Sequence, residues 1–218
     1  DLTPKQVLQI KVTELPWLYR KRLESYRYGA GIFKMDWALE QPIPFNIEKC
    51  RIAGTIHLGF ERKEVEEAEK VIHKGKHYEK PYVLLAQHTP FDVSRAPKGK
   101  HTAWAYCHVP FGSQKDMTEV IENQIEMVAP GFRASILKSA SHDTIAMERF
   151  NPNLIGGDVN GGMQDISQLF TRPLAKISPY RTGNRKVYIC SSSTPPGGGV
   201  HGMCGYNAAS QVIKDVFR

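Results

Sequence analysis

Residues Lys186 to Phe217 read KVYICSSSTPPGGGVHGMCGYNAASQVIKDVF. Lys186–Cys190 is a short apolar run and predicts a buried strand. Ser191–Gly202 is rich in Ser, Pro and Gly, the composition of a turn. From Asn207 to Phe217 the residues Ala208, Val212, Ile213 and Val216 recur at helical spacing and predict a closing helix. Gly197, Gly198 and Gly199 strip the backbone of side chains just before it, so a flat or charged group can approach the main chain. The first N–H groups of a helix are unpaired and carry roughly +0.5 of a charge, which favours an anion by about 0.3–1 kcal/mol. The same glycines also suit a turn that merely packs. Gly197-Gly198-Gly199-Val200-His201-Gly202 satisfies G-x-G-x-x-G, but a dinucleotide fingerprint needs a further strand and an acidic residue about 20 positions on. With the chain ending at Arg218, these glycines are not read as that fingerprint.

Upstream, Thr3-Pro4-Lys5-Gln6 reads as a helix start, with Thr3 as cap, Pro4 at the first position and Gln6 closing a capping box. Val7, Leu8, Ile10, Val12 and Leu15 supply its apolar surface, and Trp17–Tyr28 predicts a second helix. In Gly31–Glu40 the residues Phe33, Met35, Trp37 and Leu39 alternate with polar ones, the period of a strand with one buried face. Cys50–Leu58, Tyr82–Gln87 and His101–Val109 predict further strands, and Phe132–Glu148 contains another. Glu61–Lys74 is a helix with Val65, Ala68, Val71 and Ile72 as its stripe. Ser113–Asp116 resembles a capping box for a helix using Met117, Val120, Ile121, Ile125 and Val128 and stopping at Pro130-Gly131. Asn151–Gly162 is a loop rich in Gly and Asn. Strands and helices mix without strict alternation. The predicted class is therefore α+β, a mixed, largely antiparallel sheet with flanking helices plus a C-terminal strand-turn-helix.

The 218 residues suffice for one sizeable domain, or one domain and part of another. The start at Asp1 is read as that of an expressed fragment. The net charge of +7 is scattered, through Lys11, Arg20, Lys74, Lys100 and Arg185 among others, and reads as a solvated basic surface. No apolar run approaches the ~20 residues of a membrane span. Cys50, Cys107, Cys190 and Cys204 show no CxxC spacing and have apolar or small neighbours, so buried reduced thiols and a reducing compartment are expected.

The segment Ser193-Thr194-Pro195-Pro196-Gly197-Gly198-Gly199-Val200, followed by Gly202 and by Gly205-Tyr206-Asn207-Ala208-Ala209, resembles the C-terminal flavin motif of phytoene-dehydrogenase-related FAD-dependent oxidoreductases. Phe33–Leu39, Phe91–Pro97, Lys100–Tyr106 and Asn151–Asp158 are similar to the same family, in the same order. The resemblance implies a substrate-binding domain at 1–180 and, at 181–218, the C-terminal segment of an FAD-binding domain whose N-terminal nucleotide-binding half has no counterpart in this chain. It implies FAD as cofactor, with Gly197, Gly198, Gly199, Val200 and Met203 as flavin neighbours. Hydride would move between an apolar or amphipathic substrate and the flavin, with no side-chain acid or base required. The chain by itself would then be inactive, its partners being that substrate and the absent half. Its location would be cytoplasmic or at a membrane surface.

Other readings compete. His73 and His77, or His88, Asp92, His101 and His108, invite a metal site but show no ligand spacing that supports one. Ser141-His142-Asp143 are neighbours in sequence, whereas a triad is a spatial arrangement. Asp158–Asp165 lacks the spacing of a Ca²⁺ loop. Gly156-Gly157-Asp158 to Gly161-Gly162 suits the lining of a flavin or substrate cavity, or a plain turn. Trp104, Tyr106 and His108 suit base stacking on a basic protein, although aromatics on one strand face more often form core. The remaining alternative is a non-catalytic binding or assembly module.

Overall fold

The computed structural model describes residues 2–10, 15–59 and 61–217. Lys11 and Val12, assigned above to the basic set and the first helix, lie outside the described residues, as do the two end residues. In chain order the elements are α1 (Pro4–Val7), α2 (Trp17–Glu24), β1 (Gly31–Leu39), α3 (Glu48–Arg51), β2 (Thr55–Leu58), α4 (Arg62–His73), β3 (Val83–Gln87), β4 (His101–Val109), α5 (Thr118–Val128), β5 (Ile136–His142), α6 (Thr144–Phe150) and α7 (Met203–Val216). The chain forms two compact units, Ala30–Met147 and a second made of Asp1–Gly29 with Glu148–Arg218. Residues 181–218 thus share a unit with 1–29 and 148–180.

The Ala30–Met147 unit is a five-stranded sheet in the order β2-β3-β4-β1-β5, antiparallel at every pairing. The α+β class read from the sequence is the one observed. Phe33, Met35, Trp37 and Leu39 fall on the buried face, as their alternation requires. Register places the small Ala105 between Met35 and Leu85, and Cys107 between Phe33 and Val83. Short side chains on the central strand leave room for Met117, Ile121, Ile125 and Phe132, which join the same apolar cluster. Trp37 stands edge-on to Phe132 at 5.3 Å, and its Nε1 donates to the buried Glu122 carboxylate at 3.0 Å.

Several local readings are corrected. Cys50–Leu58 is not one strand. Asn46 begins a turn closed by Cys50 N–H on the Ile47 carbonyl and Arg51 Nε on the Phe45 carbonyl, leaving only β2 extended. Ile52, which a continuous strand would place on the same side as Ile56 and Leu58, is exposed whereas those two are buried. Phe132–Glu148 holds β5, but it also holds α6, whose Ala146 N–H is accepted by the Asp143 carboxylate. Lys186–Cys190 forms no ladder: Tyr188 makes a single antiparallel bridge to Arg181. Its apolar character serves packing instead, since Ile189 joins Val7, Tyr19, Leu23 and Leu174 in a small cluster. Thr3 stands at the N-cap of α1 without a side-chain cap bond, and Gln6 donates to the Pro152 carbonyl rather than closing a box. Ser113 and Asp116 likewise accept from Lys115 and Thr118, each its own short turn. The box that does form is on α4, between Glu61 and Glu64.

α7 begins at Met203, four residues earlier in the chain than its apolar spacing predicts. It buries Cys204 and Ala208 while Ile213 and Val216, expected inside, are exposed with Tyr206 and Phe217. All four cysteines are free thiols, but only Cys107 and Cys204 are buried; Cys190 is exposed. Burial pushes the Cys107 thiol up to about 12. No helix among the described residues is long and apolar enough to cross a membrane.

Candidate functional site

The approach to α7 is built by short-range hydrogen bonds. Thr194 closes a turn on the Ser191 carbonyl through both its N–H and its hydroxyl, at 2.8 and 2.7 Å. Tyr180 donates to the Pro195 carbonyl at 3.0 Å, and Gly197 N–H to the Thr194 carbonyl at 2.8 Å. The Cys204 thiol reaches back to the Gly197 carbonyl at 3.2 Å, tying the first turn of α7 to the loop. Gly202 takes the left-handed conformation (φ 64°) at the N-cap and has no side chain of its own to cap the helix. His201 Nδ1 accepts the N–H of Met203 at 3.0 Å, meeting one of the first-turn N–H groups of α7.

Four of the sequence-predicted residues lie consecutively on this turn and the fifth, Met203, follows at the start of α7. Gly197 (φ 102°) is buried, whereas Gly198, Gly199 and Val200 are exposed and Met203 opens the helix. Gly199 needs glycine for its φ of 150° and because a Cβ would meet the His201 ring at 2.8 Å. Gly198 needs it for neither reason. Its φ lies outside the left-handed region, and a Cβ would make ordinary contacts at 3.7 and 3.8 Å with Ser192 and Asn160. The turn itself therefore does not require glycine at position 198. An exposed glycine turn leading into a helix start fits a flat anionic ring edge.

Beneath the turn lies a polar cluster that motif reading touched at Asp158, Gly161 and Ser193 but not at Arg172 or Tyr26. Arg172 is fully buried; its Nη1 donates to the Ser192 carbonyl at 2.8 Å and its Nη2 to the Met163 carbonyl at 3.4 Å, while Nε has no partner. Asp158, also buried, accepts the N–H groups of Gly29 at 2.7 Å and Asn160 at 2.6 Å. The hydroxyls of Tyr26 and Ser193 converge on the Gly161 carbonyl at 2.8 and 2.6 Å. Desolvation pushes the Tyr26 phenol up to about 12, against the opposing pull of Arg172 and Ser193. It also raises the Asp158 carboxyl above its ordinary value, outweighing three main-chain N–H groups and Arg172. The Gly156–Gly162 loop, weighed as a cavity lining, thus meets the glycine turn through Asn160 and Gly161. Arg172 sits in no periodic run, and Tyr26 falls at the end of a run read as helix to Tyr28, whereas α2 stops at Glu24. The only local signal at Arg172 was an Arg-Pro step in a stretch without pattern.

The competing sites do not assemble. His88 Nε2 accepts Trp104 Nε1–H at 2.8 Å, His101 bonds Thr89, His108 bonds Glu69, and Asp92 caps Ser94 and pairs with Arg95. Among the described residues no three His, Cys, Asp or Glu side chains group as a metal site. Asp143 is engaged as the cap of α6, and His142 lies 3.8 Å from Asp36. Trp104, Tyr106 and His108 do not enter the core. They stand half-buried on the opposite sheet face, with the first two rings 6.0 Å apart and within 8° of parallel.

No family model matches the chain. It is 32% identical over 150 residues to the mouse pyridine nucleotide-disulfide oxidoreductase domain-containing protein 2, covering 63% of the chain and 26% of that protein. It is 27% identical to the rat protein of the same name over 97% of the chain and 40% of the relative. A limonene dehydrogenase subunit of Castellaniella defragrans is 27% identical over 52% of the chain and 20% of its own length. A solved oxidoreductase from Methanosarcina mazei aligns with 89% of the chain and 36% of its own, with a TM-score of 0.46 and 16% identity. The chain therefore spans at most two fifths of the curated relatives it matches. Their names support kinship, at that coarse level, with oxidoreductases of the FAD/NAD(P) type.

Proposed function

We propose that this chain is the substrate side and C-terminal cofactor-contacting part of an FAD-dependent oxidoreductase related to phytoene dehydrogenases. The observation that carries the reading is the bare stretch Gly198–Val200, exposed at the start of α7 above the buried Gly197. Gly197, Gly198, Gly199, Val200 and Met203 would hold the flavin ring, with backbone rather than side chains facing it. When bound, the flavin would supply hydride acceptance. The contribution of this chain is electrostatic: fixed N–H dipoles at the start of α7 favour negative charge and need no rearrangement as it develops. Residues 1–180 would serve the substrate, a small apolar or amphipathic molecule, and 181–218 the cofactor side. The exposed apolar side chains of α7, Tyr206, Ile213, Val216 and Phe217, suit cover by a nucleotide-binding half such as the longer relatives have room for.

Gly198→Leu tests the reading, because position 198 tolerates a Cβ. The protein carrying this chain, supplied with FAD and gel-filtered, should retain flavin absorbance. The variant should keep its fold by circular dichroism and lose at least about tenfold in FAD affinity, 1.4 kcal/mol. A colourless wild-type protein at the length of the relatives, or a Gly198→Leu variant with unchanged affinity, removes the assignment and favours a non-catalytic binding module.

A further inference from the structure

Arg172 is the largest fully buried side chain among the described residues, and no described carboxylate pairs with it. A buried cation is strongly disfavoured unless its charge is met and its donors are used. Of the five guanidinium N–H groups, those on Nη1 and Nη2 find only main-chain carbonyls, and Nε finds nothing. The charge nonetheless lies close to the glycine turn. A Cβ on Gly197 would lie 3.4 Å from Nη1 and 3.9 Å from Cζ, so the guanidinium sits directly under the glycine turn. Asp158 is the buried acid within its field, and that carboxylate is already engaged by the N–H groups of Gly29 and Asn160.

Two independent features therefore converge: an exposed glycine turn leading into α7, and an under-partnered buried cation behind it. We propose that Arg172 is the counter-charge of the glycine turn, placed to stabilise negative charge on a ring edge resting against Gly198–Val200. The inference rests on the proposed flavin reading and deepens it: the ligand is a ring that gains a negative charge when reduced, and Arg172 biases it toward that state. Arg172 is a positioning residue, acting through space rather than by contact. A structural role also exists, since it ties the Met163 and Ser192 carbonyls together. Charge and tie are separable by substitution.

The test uses the FAD-loaded protein carrying this chain and two readouts that do not involve turnover. Sulfite adds to the flavin, bleaching its visible absorbance and leaving negative charge on the ring, so its affinity reports local positive charge. The two-electron midpoint potential reports the same bias. Arg172→Met should weaken sulfite binding at least tenfold and lower the potential by about 30 mV, the tenfold equivalent for two electrons. Arg172→Lys, which keeps the charge but not the fork of hydrogen bonds, should stay within about threefold of wild type. Equal losses in both variants, or an Arg172→Met protein with wild-type potential and sulfite affinity, overturn the proposal. Should Arg172→Met fail to fold, the wild type decides alone: without sulfite bleaching the proposal falls. A wild type that takes up no FAD removes the flavin reading itself, and this inference with it.

Discussion

The two units bury opposite chemistry at the same depth. In Ala30–Met147 the fully buried side chains include Val83, Leu85, Ile121, Ile125 and Phe132. In the unit of Asp1–Gly29 with Glu148–Arg218 they include Arg172, Thr182 and Thr194. Contact between apolar surfaces is non-directional and tolerates small shifts, whereas buried polar groups demand partners at fixed geometry. The sheet unit is thus organised by what it excludes from water. The loop unit is organised by which donor meets which acceptor, a suitable frame for holding a bare backbone turn in place.

The largest effect should come from breaking the apolar side of this contrast. Leu85 lies on β3, fully buried and opposite Ala105. Leu85→Ala should remove about 2–5 kcal/mol, toward the upper end because a strand paired on both sides collapses poorly onto a cavity. Urea unfolding followed by the fluorescence of the buried Trp37 measures it. A loss below ~1 kcal/mol would mean that the sheet does not depend on this packing.

Gly162→Ala breaks the polar side. Gly162 has φ 134°, and a Cβ there would lie 2.0 Å from the Tyr26 hydroxyl, the group that holds the Gly161 carbonyl. Strain and overpacking together should remove about 2–4 kcal/mol. Gly75→Ala in the sheet unit is the control: φ is 76° but nothing lies within 4 Å, so only the backbone term of about 1–2 kcal/mol applies. Equal melting temperatures for the two variants would deny the packed contact at Tyr26.

A subtler break uses pH, through two aspartates of the loop unit with opposite signs. Burial raises the folded-state pKa of Asp158, so its contribution is full below the ordinary aspartate value of about 3.9 and is lost as pH rises through the raised pKa. Arg27 and Ser167 hold the exposed Asp165 down at about 2, so its contribution is present above about 3.9 and is lost as pH falls toward the lowered pKa. Asp158→Asn should therefore flatten the loss of stability with rising pH, and Asp165→Asn the loss in acid. Urea midpoints across pH read both slopes. The same slope change in both variants would contradict the burial of Asp158.

The contrast also explains what was legible in advance. Phe33, Met35, Trp37 and Leu39 announce β1 because burial on one face imposes period two, and Ala68 with Ile72 announces α4 by period 3.6. Nothing periodic marks Arg172, whose bonds run to the Met163 and Ser192 carbonyls, or the Ser191–Thr194 turn, which closes on itself, and Tyr26 falls in a run read as helix although its hydroxyl serves a carbonyl far along the chain. The glycine turn was visible in composition, but its support was not. Lys186–Cys190 misled for the converse reason: its apolar residues pack in a small cluster, which does not require a ladder. The aromatic face of β4 was ambiguous because alternation fixes two faces without saying which is wet. Ala103, Ala105 and Cys107 took the inner one because they fit between larger neighbours.

The smallest effect sharpens the comparison from within the sheet unit, where directional bonds survive at a helix end. Glu61 accepts the N–H at the third position of α4 through its side chain, and Glu64 returns a bond to the Glu61 N–H at 2.9 Å. Glu61→Ala leaves one of those donors to water and should remove about 1 kcal/mol. Because Ala68 and Ile72 still bury the helix face, the loss should appear as faster hydrogen exchange in the first turn of α4, while amides around Leu85 keep their protection. Faster exchange at Leu85 as well would show that a single polar cap supports the apolar sheet. The two modes of burial would then be less separable than their residues imply.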